Sequence, residues 1–104
     1  MLAAFSVAPS GGGNSDASVH DAVAAAVEIV RRSGLSHRTD SMFTTIEGEW
    51  DEVFAVIKEA TEAVGEYGTR VSLVVKADIR PGYTGEIDGK IERLEKAIDS
   101  RSES

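Results

Sequence analysis

The chain has 104 residues, of which 41% are hydrophobic and 28% are charged, and it contains no cysteine. This length and composition are typical of one soluble globular domain, and the lack of cysteine excludes disulfides and thiolate metal sites. The formal net charge of −7 disfavours nucleic acid and anionic membranes as partners, because both bind lysine and arginine. No apolar run approaches the roughly 20 residues that span a bilayer, so we expect a cytoplasmic protein.

The first third of the chain predicts a strand followed by a helix. The segment from Leu2 to Ala8 is apolar on both faces, which is typical of a central strand. A glycine-rich loop follows from Ser10 to Ser15. The helix after it has a capping residue at Asp16 or Ser18 and a glycine stop at Gly34. Its predicted apolar stripe consists of Val19, Ala22, Val23, Ala26, Val27 and Val30.

The middle of the chain predicts a hairpin and a second helix. Ser36 to Met42 is polar on both faces, as an exposed edge strand would be, and Thr44 to Glu47 returns beside it. The second helix begins at Trp50 and ends near Glu66. Its apolar stripe consists of Trp50, Val53, Phe54, Ile57, Ala60 and Val64. We expect Trp50 to anchor this helix in the core, so that Trp50→Ala costs roughly 3–5 kcal/mol of stability.

The last third predicts a strand, a turn and a third helix. Arg70 to Arg80 alternates between apolar and polar residues, and Pro81–Gly82 turns the chain. The closing helix carries one apolar stripe, formed by Ile87, Ile91, Leu94 and Ile98. We expect a single domain over residues 1–99, with residues 100–104 as a frayed tail.

This order of elements predicts a ferredoxin-like α+β fold. Its βαββαβ unit places two helices on one face of a four-stranded antiparallel sheet, and the third helix is an extra C-terminal element. The sequence provides no helix to cover the other face, which we call the open face. That face carries Ser72, Val74 and Lys76 on the last strand. We therefore expect a homo-oligomer, a dimer or a tetramer, that associates through the open face.

Five segments of the chain are similar, in order, to the YkoF-like thiamine-binding protein family. The segment MFTTIEGEWDEV at residues 42–53 resembles the family signature M-G-T-x-I-E-G-E-x-D-E-V. The other segments resemble its first strand and loop, first helix, last strand and closing helix. They read SVAPSGGG, SVHDAVAAAVEIVRRSGL, RVSLVVKADIR and DGKIERLE. The resemblance covers roughly residues 3 to 96.

The resemblance implies a ferredoxin-like fold, assembly into tetramers by sheet packing, and a binding protein rather than an enzyme. The implied ligand is thiamine or its hydroxymethylpyrimidine moiety, and the implied role is vitamin handling or salvage. Two segments depart from the family pattern. Phe43 replaces a glycine, and Pro81 to Tyr83 replaces a charged segment. We expect both changes to reshape a ligand pocket.

Glu47 is the first candidate for a ligand contact. If Ile46 points into the core, strand alternation places Thr45 and Glu47 on the open face. There Glu47 could accept hydrogen bonds from an aminopyrimidine or offset a thiazolium charge, or it could form an ion pair with Lys76 or Arg70. The predicted ligand-binding residues are Glu47, Thr45, Thr44, Ser6, Ser18, Ser72 and Lys76. Glu47→Gln is expected to weaken binding roughly tenfold to hundredfold.

Other chemistries fit the sequence less well. His20 and His37 have no third ligand at zinc-like spacing, so we predict neither a metal nor a cofactor. No Ser–His–Asp or paired-carboxylate set stands out, which predicts a non-enzyme. An acylphosphatase would need an anion-binding arginine in its glycine loop, and Gly11 to His20 contains neither Arg nor Lys. The main alternative is an oligomeric structural or regulatory domain without a small-molecule ligand.

Overall fold

The computed structural model describes residues 1–11 and 16–102, without the side chains of residues 16–18. Its elements are β1 (Leu2–Ser10), α1 (Asp16–Arg32), β2 (Ser36–Thr39), β3 (Thr44–Glu47), α2 (Trp50–Val64), β4 (Arg70–Asp78) and α3 (Glu86–Ser102), with a short 3-10 turn at Gly65–Tyr67. The strands form one antiparallel sheet in the order β2-β3-β1-β4. The predicted ferredoxin-like α+β fold with an extra C-terminal helix is confirmed.

The two faces of the sheet differ in what covers them. Alternate side chains of β1 are buried beneath α1 and α2, namely Ala3, Phe5 and Val7. The side chains between them lie on the open face, together with those of their cross-strand partners. On β3, Ile46 is buried, and Thr45 and Glu47 lie on the open face as predicted. The strand period therefore sets which side chains a ligand or a partner could reach.

The hydrophobic core lies between the sheet and the helices α1 and α2. Its largest fully buried side chains are Ile46, Val30, Val53 and Val64. The helix α2 buries most of its predicted stripe, whereas α1 is rotated relative to the prediction. Ile29 faces the core, and Val19 and Val23 are exposed. The small buried side chains of Ala22 and Ala26 allow α1 to approach the rest of the core closely, and this fixes its rotation.

The prediction that Trp50 anchors α2 in the core is wrong, because 54% of its surface is exposed. Trp50 is the first residue of α2, and the preceding residue Glu49 donates its backbone N–H to the Glu52 carboxylate at 3.0 Å. The first buried residue of α2 is Val53, so the helix begins before its apolar face is covered. The Trp50 ring packs instead on Phe54, with ring centroids 4.9 Å apart.

Several predicted boundaries also move. The strand β1 continues past Ala8 to Ser10, and β4 ends at Asp78 and not at Arg80. The strand β2 ends at Thr39 and not at Met42, because the chain turns back to β3 over residues 40–43. In that turn the Asp40 N–H donates to the Phe43 carbonyl at 2.9 Å. At the other end of the chain, α3 continues to Ser102, beyond the predicted end at residue 99.

The helix α3 begins on the open face and then leaves the sheet. Only its first turn is buried to any extent, and every residue from Ile91 to Ser102 is exposed. The chain accordingly measures 56 Å along its longest axis, against 29 and 19 Å along the others. Across the described part of the chain, no helix has the length and apolar character needed to cross a membrane.

Candidate ligand-binding site

The carboxylate of Glu47 caps the first turn of α3. The Glu86 N–H donates to both carboxylate oxygens, at 3.0 and 2.9 Å, and the Ile87 N–H donates to Oε1 at 3.4 Å. These amides have no partner within their own helix, and a negative charge is favourable at a helix N-terminus. Among the described residues, no ion pair joins Glu47 to Lys76 or Arg70. A ligand that uses the Glu47 carboxylate would therefore compete with α3.

Polar side chains also hold the first turn of α3 to the sheet. Asp88 pairs with Arg38 of β2 at 2.7 Å, and Lys90 pairs with Asp78 of β4 at 2.7 Å. The hydrogen bond from the Lys90 ammonium, and then its charge, lower the pKa of Asp78. Both pairs are exposed, and exposed ion pairs contribute little to stability. The start of α3 is thus held by polar contacts and not by a buried apolar face.

The predicted ligand residues on the open face do not all converge. They are Glu47, Thr45, Ser6, Ser72 and Lys76. Thr45 and Lys76 lie on either side of Ala4 in one cross-strand row. Glu47 and Ser72 lie in rows six residues apart along β1, which corresponds to roughly 20 Å. A single small heterocycle cannot contact both of them.

A cleft of about 220 Å³ opens where β3 ends beside β1. We call it the notch. It is lined by residues 5–8 of β1, by residues 39–44 of the hairpin, and by Val23, Ala26 and Val27 of α1. The notch exists because β1 has nine residues and β3 has four, so that their pairing stops at Phe5 and Thr44.

The backbone of Val7 faces the vacant position beyond β3. Met1 and Gly48 exchange two main-chain hydrogen bonds, from Met1 N to Gly48 O at 2.8 Å and from Gly48 N to Met1 O at 3.1 Å. Hydrogen-bonded pairs recur at every second residue of an antiparallel strand. The Val7 N–H and C=O therefore point toward β3, two residues beyond Phe5, where the pairing has already ended. The notch thus contains one backbone donor and one acceptor side by side.

The hairpin adds hydroxyl and carboxylate groups to the notch. The hydroxyls of Thr39 and Thr44 lie 3.1 Å apart within hydrogen-bonding distance. Oδ1 of Asp40 accepts the N–H groups of Met42 and Phe43, each at 2.8 Å. The bond from Phe43, and then that from Met42, lower the pKa of Asp40, so this carboxylate is ionised at neutral pH. A mostly apolar cleft with a few convergent polar groups is typical of small-molecule sites.

The structure brings only part of the predicted site together in the notch. Ser6 and Thr44 line it, whereas Glu47, Thr45, Ser72 and Lys76 do not. The side chain of Ser18 and the glycines at positions 12 and 13 lie outside the described residues. Val7 and Asp40 also line the notch, and the sequence analysis did not include them among the candidate ligand contacts. The short turn after a polar strand could have indicated Asp40. The backbone of Val7 borders the notch because β1 is longer than β3, and residue types do not indicate this difference in length.

Within the residues that the structure describes, no group of three or more His, Asp or Glu side chains is placed to hold a metal ion.

Comparison with known proteins places the chain among small ferredoxin-like proteins. Residues 3–95 match the model of the family described as "Thiamine-binding protein". A UPF0045 protein of Mycobacterium bovis is 46% identical over 99 residues, which is 94% of each chain. The crystal structure of a hypothetical protein from Methanocaldococcus jannaschii, 31% identical, superposes with a TM-score of 0.79 over 90% of this chain and 94% of that one.

A second solved structure with this fold comes with a functional description. It is a Thermotoga maritima protein assigned provisionally to thiamine biosynthesis or salvage. It is 23% identical to this chain, with a TM-score of 0.73 over 89% of this chain and 96% of that one. At this identity the likeness is one of fold.

Proposed function

Because the chain belongs to the thiamine-binding protein family, we propose that it binds thiamine or the hydroxymethylpyrimidine moiety of thiamine, with the notch as the site. Binding without chemical conversion fits a chain in which no catalytic set is evident. The role would be vitamin handling or salvage in the cytoplasm. The observation that supports this location is the main-chain edge of Val7, which pairs with no residue of β3 in the described part of the chain.

The chemistry of an aminopyrimidine matches that edge. The ring presents an amino donor beside a ring-nitrogen acceptor, and the Val7 C=O and N–H are the complementary pair. Added strands bind sheet edges through the same type of main-chain contact. The ring would be flanked by Phe43 and by the aliphatic side chains of α1 that line the notch. The Val7 backbone groups would orient a flat heterocycle, and the apolar side chains would cover its faces.

The size and charge of the notch favour the pyrimidine ring as the buried part. Its volume of about 220 Å³ is below the roughly 300–1,000 Å³ of sites for drug-sized ligands. One ring fits such a space better than the whole of thiamine. The thiazolium ring would then lie at the entrance, near the ionised carboxylate of Asp40. Both amide contacts of Asp40 are to Oδ1, and Oδ2 has no hydrogen bond among the described residues.

The open face is a second proposed location, as predicted from the sequence. It offers the Thr45 hydroxyl and the Lys76 ammonium near each other, with Glu47 one row away. A ligand there would have to share Glu47 with α3 or displace the helix. This cost makes the notch the preferred site.

Asp40→Asn tests the proposal, because the amide oxygen of Asn can still accept the turn N–H groups while the charge is lost. We expect thiamine, a cation, to bind roughly two- to fivefold more weakly, and neutral hydroxymethylpyrimidine to bind unchanged. Calorimetric titration of both ligands into both proteins measures this difference. The matched control is Glu62→Gln, an exposed carboxylate on α2, for which neither affinity should change.

If Asp40→Asn lost affinity equally for thiamine and for hydroxymethylpyrimidine, Asp40 would act through the fold of the turn and not through its charge. No binding of either ligand to the wild-type chain would contradict the proposal and favour the structural or regulatory alternative.

A further inference from the structure

A second cleft, which we call the corner cleft, lies where the start of β1, the end of β4 and the first turns of α3 meet. Its volume is about 190 Å³. It borders β1 at Leu2, which is roughly 17 Å along the strand from Val7 of the notch. The corner cleft is therefore separate from the site proposed for thiamine. Its lining includes one aromatic and five charged side chains, namely Tyr83, Arg80, Lys90, Arg93, Asp78 and Glu86.

The lining of the corner cleft has one more cation than it has carboxylates, although the chain as a whole has a net charge of −7. Lys90 pairs with Asp78 at 2.7 Å, and Arg93 pairs with Glu86 at 2.5 Å. No ion pair of Arg80 is found among the described residues. The hydrogen bond from Lys90, and then its charge, lower the pKa of Asp78 more than the charge of Arg80 does. Asp78 is thus chiefly the partner of Lys90, and Arg80 is the unmatched cation.

The segment Pro81 to Tyr83, which departs from the family pattern, positions this unmatched guanidinium. The Tyr83 N–H donates to the Arg80 carbonyl at 3.2 Å, and Gly82 has a φ of +84°, which favours glycine. This turn brings the Tyr83 ring against the Arg80 side chain, with the guanidinium carbon 3.6 Å from the ring centroid. The ring limits the movement of the guanidinium and leaves its in-plane N–H groups for an acceptor. In the described part of the chain, those N–H groups donate no hydrogen bond.

The donors of the corner cleft match a phosphate group. A guanidinium is a planar fork that binds two oxygens of one phosphate or carboxylate. Lys90 and Arg93 each have N–H donors beyond the one used in the ion pair, and both side chains are about half exposed. Both can therefore donate to an anion that Arg80 holds. Three cations around one small cleft attract a doubly charged phosphate more strongly than a singly charged carboxylate.

We propose that the corner cleft is a second binding site, which takes a phosphate group, either free or at the end of a phosphate ester. Arg80 binds the anion directly, and Tyr83 positions Arg80. Lys90 and Arg93 add donors from α3, so the bound anion joins the end of β4 to the first turns of that helix. This inference does not depend on the ligand of the notch.

Titration with sodium phosphate, followed by amide NMR at a slightly alkaline pH, tests the proposal. Sodium chloride at equal ionic strength is the reference. We expect saturable shifts of the Arg80, Tyr83 and Lys90 amides at millimolar phosphate, and affinity for acetate at least about tenfold lower. Phenyl phosphate distinguishes the two sources of the group. Tighter binding than inorganic phosphate would identify an ester as the ligand, and weaker binding would identify free phosphate.

Substitutions separate the charge of Arg80 from its position. Arg80→Gln should weaken phosphate binding roughly tenfold or more, because it removes the charge and the planar fork. Arg70→Gln, at the other end of β4, is the matched control and should bind phosphate as the wild type does. Tyr83→Leu should weaken binding about two- to fivefold, and Tyr83→Phe should retain wild-type affinity, because phenylalanine keeps the aromatic ring. Both Arg80 and Tyr83 are exposed, so circular dichroism should report folded variants.

Four results would overturn the proposal or a part of it. A response to phosphate no larger than the response to chloride, or equal phosphate affinity in Arg80→Gln and the wild type, would exclude the site. Equal affinity for acetate and phosphate would exclude the assignment to phosphate. Equal losses in Tyr83→Leu and Tyr83→Phe would exclude the role of the ring in positioning Arg80.

Discussion

The helices α2 and α3 carry apolar stripes of similar regularity, yet only that of α2 is buried by its own chain. Val53, Ile57, Ala60 and Val64 are between 0% and 2% exposed. The stripe of α3 is about half exposed from Ile91 onward. The comparison teaches that helical periodicity identifies an apolar face, whereas the surface that covers it is decided elsewhere in the fold.

The two helices are also held by different forces. Burial of an aliphatic side chain stabilises by roughly 1.5–3 kcal/mol, and an exposed ion pair contributes about 0–1 kcal/mol. The helix α2 is held by the first kind of contact. In the single chain, α3 is held by the Glu47 cap and by ion pairs such as Lys90–Asp78. We therefore expect α3 to open locally well before the core unfolds.

The largest expected difference comes from the same substitution in each helix. Ile57→Ala should cost about 2–5 kcal/mol of unfolding free energy, because it leaves a cavity in the core. Ile91→Ala should cost under about 0.5 kcal/mol when the chain is dilute enough to be monomeric. Urea unfolding at several concentrations measures both values. Similar costs at every dilution would mean that the stripe of α3 is covered within one chain.

Removal of the charge from the helix cap is the next largest effect. Glu47→Gln should loosen the first turn of α3 by about 0.5–2 kcal/mol, since it weakens the cap on the Glu86 and Ile87 amides. Faster amide hydrogen exchange in α3 is the readout, with Glu62→Gln as the control. A loss of thiamine binding of tenfold or more, with exchange unchanged, would restore Glu47 to the ligand role predicted from the sequence.

A smaller effect is expected at Trp50. Trp50→Ala should cost about 0.5–1.5 kcal/mol, which is the contact of its ring with Phe54, and not the larger cost of a buried tryptophan. Thermal or urea unfolding measures the loss, and Trp50→Phe should recover most of it. A cost above about 3 kcal/mol would show that Trp50 is buried in solution, for example by a partner.

The smallest effect is a dependence on pH. Lys90 lowers the pKa of Asp78 below its ordinary value of 3.8. The pair therefore stabilises the docked α3 fully at a pH above 3.8, and this contribution is lost as the pH falls through the lowered pKa of Asp78. The carboxyl-carbon NMR shift of Asp78 should therefore titrate below 3.8 in the wild type. Its midpoint should rise in Lys90→Met. An identical midpoint in both proteins would contradict the Lys90 contact.

Residue periodicity was sufficient to predict the sheet and its faces. Alternation placed Ile46 inside and Glu47 outside, because a strand allows only two directions for its side chains. The start of a helix is harder to predict. The stripe of α2 included Trp50, which lies one turn too early to meet the sheet. A side chain at the end of a helix can follow the apolar spacing of that helix and still have no part of the sheet to pack against.

The contacts of the candidate site depended on distances between segments far apart in sequence. Glu47 meets the amide of Glu86, and the sequence contains no signal for that pairing. The notch arises from the unequal lengths of β1 and β3, and its most directional group is the backbone of Val7. Residue types cannot indicate a backbone group. Of the ligand contacts predicted from the sequence, Ser6 and Thr44 line the notch, and their role stays a prediction.

The central claim is that the ligand binds at the notch and not at the open face beside α3. Amide NMR spectra recorded during titration with thiamine test this claim directly, because both regions are observed in one experiment. We expect the largest shift changes at Val7, Asp40 and Phe43, with the amides of Thr45, Lys76 and Glu86 little affected. The largest changes at Thr45, Lys76 and Glu86, or no changes at millimolar thiamine, would contradict it.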